Sequence, residues 1–379
     1  MFFYVIVKKI GFILPRKEVM FCMNIAYLYL GRLSVGSGVH KKIVMQIKQW
    51  KKQGHTVKIY HASIDNINTF KDGPVDTTFE YISNILFYRV DFYDKVKEFA
   101  DIIYMRYSFI CFDVWRLMRI IPTIIEINSN EEREYKLESH RNVKAKIKYY
   151  WNYFNRLAID SVAKGKVCVT YELSRREKQK SSKVPVIVIP NAIIENFHLR
   201  ERREHDIPVL VFIGSPNQEW HGVDKIIKLA KLTVDRLNYI IIGADLEGVS
   251  LPSNVQSYGI LSKSEYTQFL AKADVGVGTL ALHRKGMNEA CPLKIREYLS
   301  WGLPIIIGYE DTAFIGEDDC EWILKLPNCE NNVLDNIELI KKFAYKAKDM
   351  CVTEAMCKNM MSLELEKKRL KFFRGLNSE

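Results

Sequence analysis

The chain has 379 residues, 48% hydrophobic and 27% charged, with 56 Lys+Arg against 45 Asp+Glu for a formal net charge of +11. At roughly 100–200 residues per domain the length suits two or three domains, and the apolar fraction excludes a disordered, collagen-like or heptad-repeat chain. The positive excess points to an anionic partner, whether nucleic acid, a membrane surface or a phosphorylated substrate.

Residues 1–22 open with an apolar run, Met1 to Val7, that Lys8, Lys9, Arg16 and Lys17 interrupt. The run is too short to span a bilayer, which needs about 20 apolar residues, and it lacks the basic start and small-residue cleavage site of a signal peptide. An over-called start codon, a membrane-touching arm and a disordered tag stay open; the first is favoured, because Met23 opens directly into a strand. From residue 24 the pattern is strand, loop, helix, repeated. Residues 24–30 are an apolar strand, 31–38 a loop with three glycines, and Val39, Ile43, Ile47 and Trp50 then share one helical face. Gly54 suits a helix C-cap before a strand at 56–60. Strands are predicted at 102–105, 123–127, 167–170 and 186–189, with a helix at 143–163. Residues 199–206 are too charged for a core and read as a linker. The rhythm then restarts, with strands at 208–213, 239–242, 255–258, 274–278 and 304–307 and helices at 222–234 and 292–300. A final amphipathic helix, 353–373, is basic towards its end. Strands alternating with helices argue for two α/β domains with doubly wound parallel sheets, facing a cleft.

None of the eight cysteines is spaced from another as in a zinc ribbon or a thioredoxin-like motif, and no H-E-x-x-H pattern occurs. Free buried thiols in a reducing cytosol fit best, with no metal site.

The chemistry concentrates in residues 273–304, ADVGVGTLALHRKGMNEACPLKIREYLSWGLP. A strand runs into a loop carrying His283, Arg284 and Lys285, and Pro292 suits the first position of the next helix. The first-turn amides of Leu293, Lys294 and Ile295, with the Lys294 charge and the basic loop, form an anion site for which a diphosphate is the natural occupant. Glu289 and Glu297, eight residues apart, make sense beside an anion if they accept hydrogen bonds from sugar and ribose hydroxyls; as a bare pattern they read more simply as solvated helix glutamates.

This stretch resembles the GT-B retaining glycosyltransferases of family 4, with their E-x7-E motif. The resemblance continues in Phe212-Ile213-Gly214-Ser215…Trp220-His221-Gly222 for F-x-G-R…K-G, in Val188-Ile189-Pro190-Asn191-Ala192 for V-I-P-N-G, in Gly36-Ser37-Gly38 for the first-strand glycine loop, and in Gly54-His55-Thr56-Val57 for G-H-x-V. It covers residues 24 to about 310 in order. The resemblance implies a GT-B fold: an N-terminal extension (1–22), an acceptor-side domain (23–198), a linker (199–207), a nucleotide-sugar domain (208–350) and a basic C-terminal helix (351–379) packing back on the first domain. It implies that Glu289 contacts the donor sugar, that Glu297 grips the ribose, and that the backbone of Ala290, Cys291, Pro292, Leu293 and Lys294 holds the phosphate. Gly214, Ser215, His221, Gly36, Ser37, Gly38, His283 and Lys285 would line the donor site, with Glu289, Lys294 and Arg284 catalytic.

The family's phosphate-clamping Arg and Lys are Ser215 and His221 here, so their charge is expected from Arg284, Lys285 and Lys294. Asn191 is read as a turn former, and Ala192 replaces the family's Gly. Glu126 and Asn128, at a strand's carboxyl end, are candidate acceptor contacts. Glu131 and Glu132 read equally well as acids at a helix N-terminus, and His40 is a weaker ligand candidate. The implied activity is metal- and cofactor-independent sugar transfer from a UDP- or GDP-sugar to a glycan or lipid-linked glycan, as in bacterial surface polysaccharide synthesis, by a cytoplasmic protein peripheral to an anionic membrane. A GT-B nucleotide-sugar epimerase and a non-enzymatic basic binding protein are the alternatives. Nucleic acid is the least supported partner, since no glycine-aromatic RNA motif or arginine-rich recognition helix occurs. Lys367, Lys368, Arg369, Lys371 and Arg374 read as a solvated or lipid-facing surface.

Overall fold

The computed structural model of the chain describes residues 22–31, 37–63, 79–80, 92–140, 142–194, 196–198, 205–316 and 320–377. Gly36, residues 1–21 of the N-terminal extension and residues 199–204 of the charged linker lie outside them.

The first half contributes strands β1 (Asn24–Tyr29), β2 (Thr56–Ser63), β3 (Phe79–Glu80), β4 (Ile102–Arg106), β5 (Thr123–Ile127), β6 (Gly165–Cys168) and β7 (Val186–Val188). Its helices are α1 (Gly38–Lys52), α2 (Tyr93–Phe99), α3 (Phe112–Ile120), α4 (Glu131–Glu138), α5 (Val143–Asp160) and α6 (Tyr171–Lys180). The second half contributes β8 (Val209–Ile213), β9 (Asn238–Ile242), β10 (Val255–Tyr258), β11 (Val275–Val277), β12 (Glu289–Ala290), β13 (Ile305–Ile307), β14 (Glu310–Asp311) and β15 (Ile323–Lys325). Its helices are α7 (Val223–Leu232), α8 (Lys263–Lys272), α9 (Leu293–Ser300), α10 (Ile337–Ala347) and α11 (Ser362–Asn377).

Two large parallel sheets result, one seven-stranded in the order β3-β2-β1-β4-β5-β6-β7 and one six-stranded in the order β10-β9-β8-β11-β13-β15, with β12 and β14 forming a separate parallel pair. Their strands are near-continuous apolar runs because helices cover both faces; β5 and β13 are buried throughout. In each sheet the order reverses beside the first strand, between β1 and β4 and between β8 and β11. Such switch points open a crevice at the carboxyl ends of the strands, where the start of α1 and the loop after β8 lie.

Helix α1 buries Ile43, Ile47 and Trp50, the expected stripe, but also Lys42 and Gln46. The C-terminal segment differs from the single expected helix. A short 3-10 stretch, Ala355–Met360, ends at Met361, whose extended backbone (φ −71°, ψ 136°) breaks it from α11. Helix α11 then packs on the first domain, where the Trp50 indole donates to Glu366 (2.7 Å) and Gln49 to Ser362 (3.1 Å). Arg369 is 1% exposed and donates to Glu366 (2.9 Å) and to the Tyr104 hydroxyl (2.6 Å). It is a buried anchor, not part of a solvated or lipid-facing surface, because Glu366 and Glu126 supply its counter-charge.

Candidate active site

Helix α9 is fixed from within its own domain and by a contact from the first. The buried Tyr298 hydroxyl accepts the Ile213 amide (2.7 Å), tying the helix to the end of β8. Arg296, also buried, makes a two-pronged bond to Asp311 (2.6 and 3.0 Å) and donates to Cys291 Sγ (2.8 Å) and the Asn191 carbonyl (2.8 Å). Pro292 is the N-cap, with extended backbone (φ −72°, ψ 142°), and not the first helical residue. As a proline it has no side-chain acceptor for the first-turn amides, which a capping Ser or Asp would satisfy.

Lys294 projects from that first turn. Its ammonium lies 4.0 Å from the Phe212 ring centroid, and Nζ is buried with no hydrogen-bond partner among the described residues. Burial depresses its pKa from 10.5 to about 7. Beside it the chain turns after β8 at Gly214 and Ser215 and returns through His221, whose ring packs edge-on to Phe212. Close approach shapes this turn: a Cβ on Gly243, at φ +78°, would sit 2.2 Å from the Gly214 carbonyl oxygen. Burial, then Lys294 and Lys285, push the His221 pKa down to about 2 despite an opposing contribution from the Ser215 backbone. His221 is therefore neutral and supplies no charge in place of the family's lysine.

The basic loop departs from its expected role. All five Arg284 N–H groups are engaged: Nε and Nη2 donate to Glu330, Nη1 and Nη2 to Asp224 (2.8 and 2.9 Å), and Nη1 to the Glu219 carbonyl. The charge expected to stabilise a diphosphate is neutralised by two carboxylates, so Arg284 is a structural clasp in this structure. His283 Nε2 meets Glu330 (2.8 Å). Lys285 is buried, pairs with Glu134 of α4 and lies over the Trp220 ring. Of the three cations expected to compensate for Ser215 and His221, Lys294 alone lacks a carboxylate partner.

Glu289 and Glu297 both reach the facing domain. Glu289, buried on β12, accepts the Glu172 amide of α6 (2.8 Å) and the Arg175 guanidinium (2.6 Å), while the Glu172 carboxylate accepts the Asn288 and Glu289 amides (both 2.8 Å). Glu297 accepts from Tyr266 (2.7 Å) and from Lys41 of α1 (3.3 Å). Ser37 caps α1 by accepting the His40 amide (3.2 Å). Gly38 follows, and a Cβ there would stand 3.2 Å from Leu293 Cδ1, so the start of α1 meets the α9 N-terminus directly. Asn191 is more than a turn former, since its amide donates to Cys291 Sγ (3.0 Å) and its side chain to the Cys291 carbonyl. Burial raises the Cys291 thiol to about 11, so it stays protonated.

The acceptor candidates are corrected. Glu126 is fully buried, paired with Lys42 (2.8 Å), and Asn128 bridges the two by donating to Glu126 (3.1 Å) and accepting from Lys42 (2.9 Å). Burial raises the Glu126 pKa, but Lys42, then Arg369 and Arg106, outweigh it and hold the carboxyl well below its usual range. The pair is an internal ion cluster, already satisfied. Glu131 and Glu132 occupy the first turn of α4 as read from sequence, with Glu132 also bound to Arg176 and Lys180 (both 2.9 Å). Sequence reasoning missed Glu172, Arg175, Arg296 and Asp311; the bare pattern carried no signal for them. Between α4, α6 and the 282–285 turn lies a cavity of about 680 Å³, lined by Arg133, His140, Tyr149, Arg176 and Lys285 among others. That volume suits a small organic ligand. Among the described residues no cluster of three metal-ligating side chains occurs, and no helix is long and apolar enough to cross a membrane.

No family model and no curated protein matches this chain. Solved structures do. Sucrose-phosphate synthase from Thermosynechococcus elongatus superposes with a TM-score of 0.67 at 13% identity, over 93% of this chain and 99% of that one. A glycosyltransferase from Rickettsia africae gives 0.60 at 14% identity, over 93% and 98%. HepE of Anabaena, in complex with UDP and glucose, gives 0.60 at 10% identity, over 92% and 99%. The shared architecture is the GT-B fold.

Proposed function

We propose that the chain is a retaining glycosyltransferase that moves a sugar from a nucleotide-diphosphate donor, a UDP- or GDP-sugar, to a glycan or lipid-linked glycan acceptor in bacterial surface polysaccharide synthesis. One observation carries this reading: the buried, unpartnered Lys294 ammonium at the uncapped N-terminus of α9, beside the Gly214–Ser215 turn. A desolvated cation with free amides around it is costly unless an anion joins it. The E-x7-E resemblance adds Glu289 for sugar hydroxyls and Glu297 for the ribose, and the UDP-bound HepE neighbour favours a uridine donor.

In the proposed reaction the bond from the sugar's anomeric carbon to the diphosphate breaks as the acceptor oxygen attacks from the same face. The acceptor proton passes to a diphosphate oxygen. Charge develops on the leaving diphosphate, so Lys294 and the α9 amides would act most strongly in the transition state. No metal is required, because the lysine supplies the neutralising charge.

The test is a thermal-shift screen against UDP-, GDP-, ADP- and CMP-sugars, followed by a transfer assay with and without acceptor. A rise in Tm with one nucleotide class, abolished in Lys294→Met, is expected. No shift with any of them excludes the reading, and turnover that needs no acceptor replaces it with epimerisation.

A further inference from the structure

A helix on the flank of a soluble domain normally turns its apolar stripe inward. Helix α5 does the reverse. Its buried residues are Asn152, Asn155 and Ile159. Asn152 accepts from the Tyr107 hydroxyl (2.7 Å), Asn155 accepts the Ile110 amide (2.9 Å), and neighbouring Arg156 pairs with Glu177. The polar side is thus consumed by the domain. On the outer side Val143, Ile147, Trp151 and Phe154 are 74%, 59%, 45% and 62% exposed, and Tyr150 and Leu157 join them. At 3.6 residues per turn these six fall within a sector of about 120°. Such a contiguous apolar patch marks an interaction surface.

We infer that the outer face of α5 docks on an anionic lipid bilayer. The charges around the patch select this occupant. Lys144 and Lys146 are exposed on either side of it, while Lys148 turns away to pair with Glu138 (3.7 Å), and the one acid within α5, Asp160 at its far end, is taken by Lys166 (2.7 Å) and Arg156. A second copy would bring lysines against lysines, whereas an anionic surface pairs with them. Trp, Tyr and Phe flanked by lysines match a helix lying in a membrane interface, the rings at headgroup depth and the ammonium groups reaching the phosphates. The basic α11, with Arg369 buried, does not offer this face.

The position also deepens the acceptor half of the proposed function, although the docking argument rests on α5 alone. A cavity of about 450 Å³ runs along the edge of α5, lined by Tyr150, Tyr153 and Leu157. It shares Glu132, Tyr149 and Arg176 with the 680 Å³ cavity that reaches Lys285. A lipid-linked glycan anchored where α5 docks therefore has a path along these two cavities towards Lys285.

The experiment is co-sedimentation of the full chain with phosphatidylcholine vesicles, with and without phosphatidylglycerol. Binding to the anionic vesicles, weakened by salt, is expected. In Trp151→Glu/Phe154→Glu the partition coefficient should fall by at least about tenfold, with Tm and the donor-induced thermal shift retained. Lys144→Glu/Lys146→Glu should lose the preference for phosphatidylglycerol. Wild-type protein that binds neither vesicle overturns the proposal. So does a concentration-dependent dimer, seen by sedimentation velocity and broken by the first double variant, in the absence of vesicle binding. Failure of the donor-induced shift in the wild type would instead overturn the transferase reading and leave this result standing.

Discussion

The Lys294 ammonium and the Phe212 ring face each other at 4.0 Å across the junction of α9 and β8, and the ring is the nearest thing to a counter-charge the lysine has among the described residues. A cation over an aromatic face recovers only part of the hydration it loses. The chain holds a destabilising charge at the point where a diphosphate would sit. Lys294→Met keeps the stem's packing and removes the charge. It should stabilise the ligand-free protein by on the order of 1–2 kcal/mol, read as a rise in Tm of about 2–4 °C per kcal/mol. Turnover should fall about 10²–10³-fold. A change confined to KM would show that the lysine binds donor and transition state equally.

The same burial sets a pH dependence. The Lys294 pKa is lowered to about 7 in the folded protein from an ordinary 10.5. Between those values the unfolded chain holds the extra proton, so this group makes ligand-free stability rise with pH from about 7 to about 10.5. Denaturation at pH 7 and pH 9 should show that slope, and Lys294→Met should lack it. A bound diphosphate favours the protonated form and raises the pKa again. UDP affinity should therefore be flat just below pH 7 and weaken by up to about tenfold per pH unit above it, as titration calorimetry would measure.

Glu289 and Arg175 separate a role in transfer from a role in domain contact. Arg175 is 65% exposed and its bond to Glu289 is worth at most about 1 kcal/mol. Arg175→Ala should leave turnover within about threefold. Glu289→Gln keeps the shape but weakens its hold on sugar hydroxyls, and turnover should fall about 10²-fold or more, with Tm nearly unchanged. Equal effects of the two substitutions would assign Glu289 to domain contact alone.

Arg284 is predicted to behave as a clasp. Arg284→Ala leaves Asp224 and Glu330 without their shared guanidinium, and both are partly exposed. A loss of about 1 kcal/mol in chemical denaturation is expected, with UDP affinity within about threefold of wild type. A larger loss of turnover than of stability would return Arg284 to the catalytic set.

The buried cluster of Arg369, Glu366, Glu126 and Lys42 pins α11 to the first sheet. Arg369→Leu should cost about 3–5 kcal/mol, because it strands buried carboxylates. Glu126, like Lys294, makes stability rise with pH, but in the acid range rather than above neutrality. Its depressed pKa makes its contribution fully present above about pH 4.5 and lost as pH falls towards the folded value. Glu126→Gln should flatten the acid limb of the stability profile.

Much of the architecture follows from local pattern. Alternating apolar runs and helical periods place the strands of both sheets except the short edge strands β3 and β15, since near neighbours in sequence decide strand and helix but two or three residues carry no period. The 273–304 segment was legible for the same reason: its strand, turn, proline and helix are consecutive, so Glu289, Lys294 and Glu297 can be placed relative to one another from spacing. The breaks were not. Met361 interrupts a run of good helix formers, and Pro292 takes an extended conformation that a local preference for the first helical position does not foretell.

Charge partnership is where sequence reading ended. Arg284, Lys285 and Lys294 are alike as a basic cluster, yet Glu330 and Asp224 claim the first, Glu134 the second, and no carboxylate the third. Those acids stand between 46 and 151 positions away in the chain, and only folding brings them near. Helix α5 shows the same limit, for its periodicity marks a helix with an apolar side but not which side faces in. Tyr107 and the Ile110 amide bond Asn152 and Asn155, so the polar side is buried and the aromatic side left to the surroundings. By itself the sequence determined two α/β domains and the strand–turn–proline–helix order of the segment proposed to bind an anion, because period and turn chemistry act over a few residues. The tertiary structure decided which cation remains without a counter-charge and which helix face remains uncovered, because electrostatics and burial act through space between residues that the chain holds far apart.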